Sequence, residues 1–390
     1  MWLPEVIFWS SLTGVVYTYQ GYSRLLNALP KKAHPSVIQP EEWPSVNVIF
    51  AAYNEEAVIG AKLKSLLESD YPQDLLSVTV GSDACTDSTD SIVEDFKKKY
   101  PLRLNLIRFE RRTGKAEIIN QLASVSTSDV LICTDANIIH ECKSISRAVA
   151  LLYSDPTFGA VGGTLEYIVR SSQGIAVQEN FYRSWENSIR HAESALWQMP
   201  MGLEGGFYAI KRRLFRPIPK NFFMEDFYQT LQLYCAGYRS YMHPEVRGLE
   251  DVSTQPREEF QRKKRISTGN FQNLVYFFRC IHSSWKLAFV FWSHKGLRWI
   301  TPILLMMALI SNLVLLSTGS TFYKMTCALA AVLSLLGVVG SIFSKRKQKI
   351  HLIVYIYHFF NMNFALLSGL IQYIKGVNTN VWQPTRRNQN

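Results

Sequence analysis

Neither of the common phosphate-binding glycine loops occurs in this 390-residue chain, which has no GxGxxG after its first apolar strand pattern and no GxxxxGK[ST] anywhere. Their absence argues against dinucleotide-binding and P-loop chemistry. Charge is also scarce, with Asp, Glu, Lys and Arg making up 19% of residues against an average near a quarter. The six cysteines (Cys85, Cys133, Cys142, Cys235, Cys280 and Cys327) form no C-x-x-C pair. They read as small buried hydrophobes in a reducing compartment, and neither a metal cluster nor a disulfide framework is expected. RNA-binding and zinc-finger patterns are missing too, so the net charge of +11 is not read as a nucleic-acid surface and points to other anionic partners, lipid headgroups among them.

What is present is unevenly spread. Val6 to Ser23 holds no Asp, Glu, Lys or Arg and is followed by Arg24, Lys31 and Lys32. Its 18 residues are at the lower limit for spanning a bilayer core of ~30 Å. Glu5 stands where a signal peptide would be basic, so a retained transmembrane helix within 1–28 is expected, with the next domain on the cytoplasmic side. Ile300 to Tyr323, Thr326 to Ser344 and Ile350 to Ile374 are further candidate spans, with the basic run Lys345 to Lys349 after the second. The third would send Lys375, Arg386 and Arg387 outward, against the positive-inside bias, so two or three spans within 299–375 remain open. Between 271 and 298, Phe271, Leu274, Phe277 and Phe278 recur at helical spacing beside Arg279, Lys286, Lys295 and Arg298. That pattern suits helices in the headgroup plane, and a packed domain helix fits it equally well. The expected setting is the plasma (bacterial inner) membrane, crossed more than once, with membrane lipids as partners.

The middle of the chain alternates. Val46 to Ala51, Ser77 to Gly81, Leu102 to Phe109 and Val130 to Thr134 read as strands, with helical periodicity between them. Such alternation predicts βαβ units and a parallel sheet. Polar residues follow the C-terminal ends of these strands, where open α/β sheets bind ligands. Several are carboxylates or amides, and a phosphate site without a glycine loop usually recruits Mg²⁺ or Mn²⁺. Asp135 and Asn137, two apart on an extended tip, can both face such an ion.

Taken together, these motifs resemble glycosyltransferase family 2, with its GT-A nucleotide-sugar fold. They are Ala52-Tyr53-Asn54-Glu55-Glu56, Ser82 to Thr89, Thr113-Gly114-Lys115 with Asn120, Thr134 to Asn137, Gly202 to Arg212, Met224-Glu225-Asp226, Ala236 to Arg239 and Glu259 to Asn270. Trp382 to Arg387 is similar to the tail of membrane-embedded members. The resemblance covers roughly residues 44 to 390 and implies a cytosolic α/β GT-A domain over 44–270, with interfacial helices over 271–298 and a tail over 376–390.

By that resemblance, Asp226 is the general base for the acceptor hydroxyl, its apolar flanks raising its pKa, with Glu225 as orienting neighbour. The plain alternative is an acid complementing a helix N-terminus. Asp135 and Asn137 would hold Mg²⁺ or Mn²⁺; Asn137 stands where many relatives have a second acid, so one direct carboxylate is expected. Asp83 would accept from the uracil N3–H, Lys115 would meet a phosphate or the uridine, and Tyr53 and Glu55 would line the nucleoside pocket. For Asp87 the expected role is a cap on the helix after it. Arg265 takes the Arg position of the family's Q-x-x-R-W and would grip the diphosphate. Arg262 replaces the Gln, and Ile266 replaces the Trp that stacks on acceptor sugar, which puts processive synthesis in doubt. Glu204 in the acceptor loop would recognise an acceptor amino or hydroxyl group, a surface acid being the alternative.

The implied enzyme is an inverting glycosyltransferase taking a hexose or N-acetylhexosamine from a UDP-sugar. Its acceptor is a growing polysaccharide or a lipid-linked sugar, with export or accessory subunits as further partners. A silent membrane subunit that only binds donor is the rival from another class.

Overall fold

The computed structural model describes residues 2–35, 37, 39–168, 175–251, 256–345 and 351–381. The tail motif Trp382 to Arg387 and most of the basic run 346–349 lie outside the described residues.

The helices are α1 Trp2–Val16, α2 Tyr22–Ala28, α3 Glu56–Leu67, α4 Thr89–Lys99, α5 Lys115–Val125, α6 Ser144–Tyr153, α7 Ile175–Trp197 and α8 Glu225–Cys235. They continue as α9 Pro256–Tyr276, α10 Phe278–Ile281, α11 Trp285–Phe291, α12 Leu297–Trp299, α13 Thr301–Leu315, α14 Thr321–Lys345 and α15 His351–Lys375. The strands are β1 Val46–Ala52, β2 Leu76–Asp83, β3 Leu104–Phe109, β4 Val130–Thr134, β5 Ile139–His140, β6 Phe158–Ile168, β7 Phe207–Lys211 and β8 Arg239–Asp251. Two compact units result. One takes residues 29–254, 272–281 and 377–390; the other takes 1–28, 255–271 and 282–376. Sequence patterning placed a boundary at residue 270, yet α9 runs unbroken through it.

In the first unit the strands form one sheet in the order β3-β2-β1-β4-β7-β6-β8-β5. The half β3-β2-β1-β4 is parallel, as the alternating pattern requires. All seven residues of β1 (VNVIFAA) are buried, because helices cover both faces of a parallel sheet and leave no solvent side. The other half is mixed. β7 runs antiparallel to β4 with Thr134 opposite Phe207, so the loop preceding β7 lies beside the tip of β4. β8 pairs with β6 along most of its length and with β5 through Ile139 and Leu249, which carries Glu250 to the same edge.

Cys235, ending α8, is disulfide-bonded to Cys280 in α10, which corrects the expectation that no disulfide forms. The pair is separated by 45 residues and belongs to no motif, so only tertiary packing brings it together. Nor are the remaining cysteines uniformly buried, since Cys142 is exposed. Closing a loop of that length removes about 4 kcal/mol of unfolded-state chain entropy in the simple loop model. A C235S/C280S variant should therefore melt several degrees below the oxidised protein in a thermal scan, and dithiothreitol should lower the wild type likewise.

In the second unit α1 packs on α13, where Phe8, Ala308, Leu315 and Tyr323 form a small core. Glycines let α15 approach its neighbours. A Cβ on Gly340 would stand 2.7 Å from the Ile353 carbonyl oxygen, and one on Gly369 2.6 Å from that of Lys264. Among the described residues, two helical segments are long and apolar enough to cross a membrane, Thr301–Thr318 and Thr321–Ile342. Leu329, Val332, Leu335, Val338 and Ile342 of α14 are all exposed, a run of apolar surface that water would not favour. The N-terminal stretch is a 15-residue helix that continues through a π-helical turn at Tyr17–Gly21 into α2.

Candidate active site

The site is built where β1, β2, β3 and β4 end. After β1 the chain turns at Asn54, whose φ of 51° is in the left-handed region that Asn tolerates. Its side chain fixes the neighbouring tip, since Thr86 N donates to Asn54 Oδ1 at 2.9 Å. Asp87 accepts from Glu56 N at 3.1 Å and from Thr89 N at 3.0 Å, so it ties the β1 and β2 tips together and caps the start of α4. Glu55 N donates to Thr89 Oγ1 at 2.8 Å.

Asp83 is fully buried at the end of β2. Its carboxylate accepts from Arg112 Nε at 3.0 Å, from Thr113 N at 2.5 Å and from Gly114 N at 3.4 Å. It therefore holds the turn that delivers Lys115. The Arg112 guanidinium lies 3.2 Å from the centre of the Tyr53 ring. Sequence reading missed Arg112; its place two residues before the Gly114-Lys115 pair was the available signal. Next to it is a cavity of about 780 Å³ whose lining includes Arg108, Arg111, Arg112, Lys220 and Asn380.

Lys115 opens α5 and joins two carboxylates. Its ammonium pairs with Asp135 at 2.6 Å and with Glu225. Burial works against the charged amine, but Asp135 and Glu225 hold its pKa above the ordinary lysine value. The resemblance assigns this lysine to a phosphate or the uridine; in the structure its ammonium pairs with Asp135 and with Glu225, the neighbour of Asp226.

Asp226 is 8% exposed in the first turn of α8. Burial, then the neighbouring Glu225 charge, pushes its carboxyl up to about 7, while Lys115 works in the opposite sense. The preceding Met224 is left-handed at φ 58°, which turns the chain sharply into the helix. Gly205 faces this carboxylate closely: a Cβ there would lie 3.1 Å from both Asp226 Cγ and Oδ2. G205A should thus displace the carboxylate by a few tenths of an ångström and lower kcat about tenfold with donor KM little changed, since reactive positions tolerate small shifts poorly.

Beneath the β4 tip, Lys62 is fully buried and donates to Thr134 Oγ1 at 2.9 Å and to the Ile138 carbonyl at 2.7 Å. Thr134 Oγ1 donates in turn to the Gly206 carbonyl at 2.6 Å. One buried amine and one hydroxyl therefore hold the Asp135 tip and the Gly205-Gly206 loop in register.

Glu204 is not a surface acid. It accepts from Arg190 Nη1 at 2.8 Å and faces Arg183 Nη1 at 3.8 Å. Arg183 also donates to Glu250 Oε2 at 2.9 Å, and Glu250 Oε1 accepts from Asn137 Nδ2 at 3.3 Å. Arg183, Arg190 and Glu250 carry no short motif and were not read from the sequence.

The sheet unit thus brings together Tyr53, Glu55, Asp83, Lys115, Asp135, Asn137, Glu204, Glu225 and Asp226. Arg262, Arg265 and Ile266 belong to the helical unit, on α9. Arg262 is bound there by two hydrogen bonds to Glu259 of its own helix, at 3.0 and 3.3 Å. Arg265 and Ile266 are half-buried.

Among the described residues no three His, Cys, Asp or Glu side chains are grouped to hold a metal by themselves. The Asp135 carboxylate with the Asn137 amide oxygen still fits a Mg²⁺ or Mn²⁺ that takes its other oxygens from a diphosphate and water.

A sheet of this order with acids at its parallel-strand tips defines an α/β protein of the GT-A class. The comparisons agree. Residues 47–218 match the model of glycosyl transferase family 2, so the chain carries a family 2 glycosyltransferase domain. The fold is similar to that of the mannosyltransferase PcManGT from Pyrobaculum calidifontis, solved with GDP-Man and Mn²⁺, at TM-score 0.72 and 24% identity over 95% of this chain and 99% of that one. A beta-monoglucosyldiacylglycerol synthase of Synechocystis sp. is 32% identical over 143 residues, 35% of this chain and 29% of the relative. A poly-beta-1,6-N-acetyl-D-glucosamine synthase of Staphylococcus epidermidis is 24% identical over 192 residues, 48% of this chain and 43% of the relative. The chain therefore matches less than half the length of either of these curated relatives.

Proposed function

We propose that this chain is a membrane-bound, metal-dependent, inverting glycosyltransferase that passes one hexose or N-acetylhexosamine from a nucleotide-diphospho-sugar to a lipid-linked acceptor at the membrane surface. The observation that carries it is Asp226, a buried carboxylate with a pKa near 7, set beside the Lys115–Asp135 pair at the strand tips. Asp226 takes the proton of the acceptor hydroxyl as that oxygen bonds to the anomeric carbon. The bond from that carbon to the diphosphate breaks, and the nucleoside diphosphate leaves with the electron pair. A divalent cation, held by Asp135 and Asn137, would offset the charge developing on the diphosphate. Tyr53, Glu55 and Arg112 would line the nucleoside pocket. Asp83, expected to accept from a uracil N3–H, is fully buried with its oxygens taken up by Arg112, Thr113 and Gly114, so it would support the pocket from behind by fixing Arg112 and would not meet the base itself. Arg265, with Arg262 beside it, would meet the diphosphate.

Two segments fit for a bilayer support attachment to the membrane. Ile266 in the place of a stacking Trp favours a single addition over a polymer, in line with the glucolipid synthase among the relatives. Polysaccharide extension is the second reading, favoured by the likeness to the poly-N-acetylglucosamine synthase.

The test uses the full chain purified in mild detergent with Mg²⁺ or Mn²⁺, offered UDP-glucose, UDP-galactose, UDP-N-acetylglucosamine and GDP-mannose, with and without a glycerolipid or polyprenyl extract. One or two sugars on a lipid, with nucleotide released only when lipid is present, is the expected result. A ladder of many repeats formed without lipid would favour the second reading. Donor binding with no release from any donor would overturn both.

A further inference from the structure

We infer that Glu250, held by Arg183, is a positioning residue that orients the Asn137 amide so that its oxygen is the atom available to a divalent cation. This rests on the metal-dependent reading above and assigns a task to two residues that reading does not use.

An asparagine differs from an aspartate at a metal site in one respect that matters here. Aspartate presents oxygen whichever way it turns, but an amide turned the wrong way presents an NH₂ that a hard cation cannot use. A site with Asn137 where a second acid would do therefore needs something to fix the rotamer. The structure provides it. Asn137 is 8% exposed, and its Nδ2 donates to Glu250 Oε1 at 3.3 Å, leaving Oδ1 as the coordinating end.

Glu250 is itself held in place. Its other oxygen, Oε2, accepts from Arg183 Nη2 at 2.9 Å, and the two side chains are 17% and 12% exposed. Arg183 is placed by α7 and faces Glu204, which in turn pairs with Arg190, and Arg190 with Glu186 at 3.4 Å. Glu250 thus has one oxygen for the arginine and one for the amide. The β8–β5 pairing, with Leu249 opposite Ile139, puts Glu250 within reach of the turn that carries Asn137. Ligands fixed by a hydrogen-bonded outer partner are the general rule at metal centres, and loss of such a partner costs about 10- to 100-fold in metal affinity.

The proposal predicts a reversal of sign. In E250Q one amide replaces two equivalent oxygens. Arg183 claims the single oxygen, the new NH₂ meets the Asn137 NH₂, and the asparagine turns its own NH₂ toward the cation. Mn²⁺ affinity should fall about tenfold. In N137D the second carboxylate faces Glu250 and repels it, so adding E250Q supplies a donor and should tighten Mn²⁺ binding.

The measurement is Mn²⁺ titration of the full chain in detergent by loss of the free-ion EPR signal. UDP is fixed throughout, a protein-free blank is subtracted, and thermal melting checks each variant's fold. Weakening by E250Q in the wild type with tightening in N137D supports the proposal. A change of less than twofold, or weakening in both backgrounds as a simple loss of charge would give, overturns it. If E250Q alone fails to fold, comparing N137D with N137D/E250Q still reads the sign. A wild type that binds no Mn²⁺ beyond the blank overturns the metal-dependent reading as well, which separates the two failures.

Discussion

D226N should reduce kcat by about 10³ while leaving donor affinity within twofold, because an amide of the same shape cannot accept the acceptor proton. The result is read by comparing turnover with nucleotide-sugar binding measured calorimetrically on the same preparation. Turnover within tenfold of wild type would remove Asp226 from the role of base. The wild-type pH profile carries the same information. With Asp226 pushed up to about 7, kcat/KM should fall with unit slope as pH drops below that value. The linkage runs the opposite way to that of an ion-paired carboxylate. The folded state binds this proton more tightly than the unfolded chain, whose aspartate titrates near 4. The carboxyl therefore contributes most to stability below about pH 4, and that contribution is lost as pH rises through about 7. Replacing it by Asn removes the cost of a buried charge, so D226N should melt no lower than the wild type at pH 8.

K115M should have the second large effect, on both stability and the pH profile. The ammonium is the shared partner of Asp135 and Glu225, and its loss leaves two acids facing each other beside Asp226. Removing one member of a buried ion pair costs about 3–5 kcal/mol; with Asp135 38% exposed, the lower end applies. Lys115 is also the group that draws the Asp226 pKa down, so the acid limb of the rate profile should move to higher pH in the variant. K115R, which keeps the charge, should restore the stability and part of the profile. An unchanged acid limb in K115M would show that Lys115 serves the substrate alone.

Much of the parallel half-sheet can be read along the chain, for a local reason. Each buried strand there is a short apolar run such as Val46 to Ala52, ended by a polar turn, and βαβ units join neighbours in space that are neighbours in sequence. Asp83 and Asp135 stand out because each closes a short apolar strand run with no glycine-rich phosphate loop after it, and Asp226 stands out as half of an acid pair that opens a helix. The two basic-flanked apolar segments ending in α14 were equally plain, because length and lack of charge are enough to mark them.

Tertiary structure decided what depends on long-range pairing. β5, Ile139–His140, and β8, Arg239–Asp251, lie far apart in the chain, and their pairing is what brings Glu250 beside Asn137. Arg183 is on a helix whose pattern says only that it is amphipathic, and Glu204 has the same local sequence whether it faces solvent or two arginines. Lys115 looked like a phosphate ligand from its place after Gly114; only the fold sets Asp135 and Glu225 on either side of its ammonium. The Cys235–Cys280 pair was hidden for the same reason. By itself the sequence determined the family resemblance, the sheet's parallel core and the residue types at the strand tips, because those depend on local pattern. The partners of each charged group were settled by the fold, because a charge is satisfied by whatever the rest of the chain brings within about 4 Å of it.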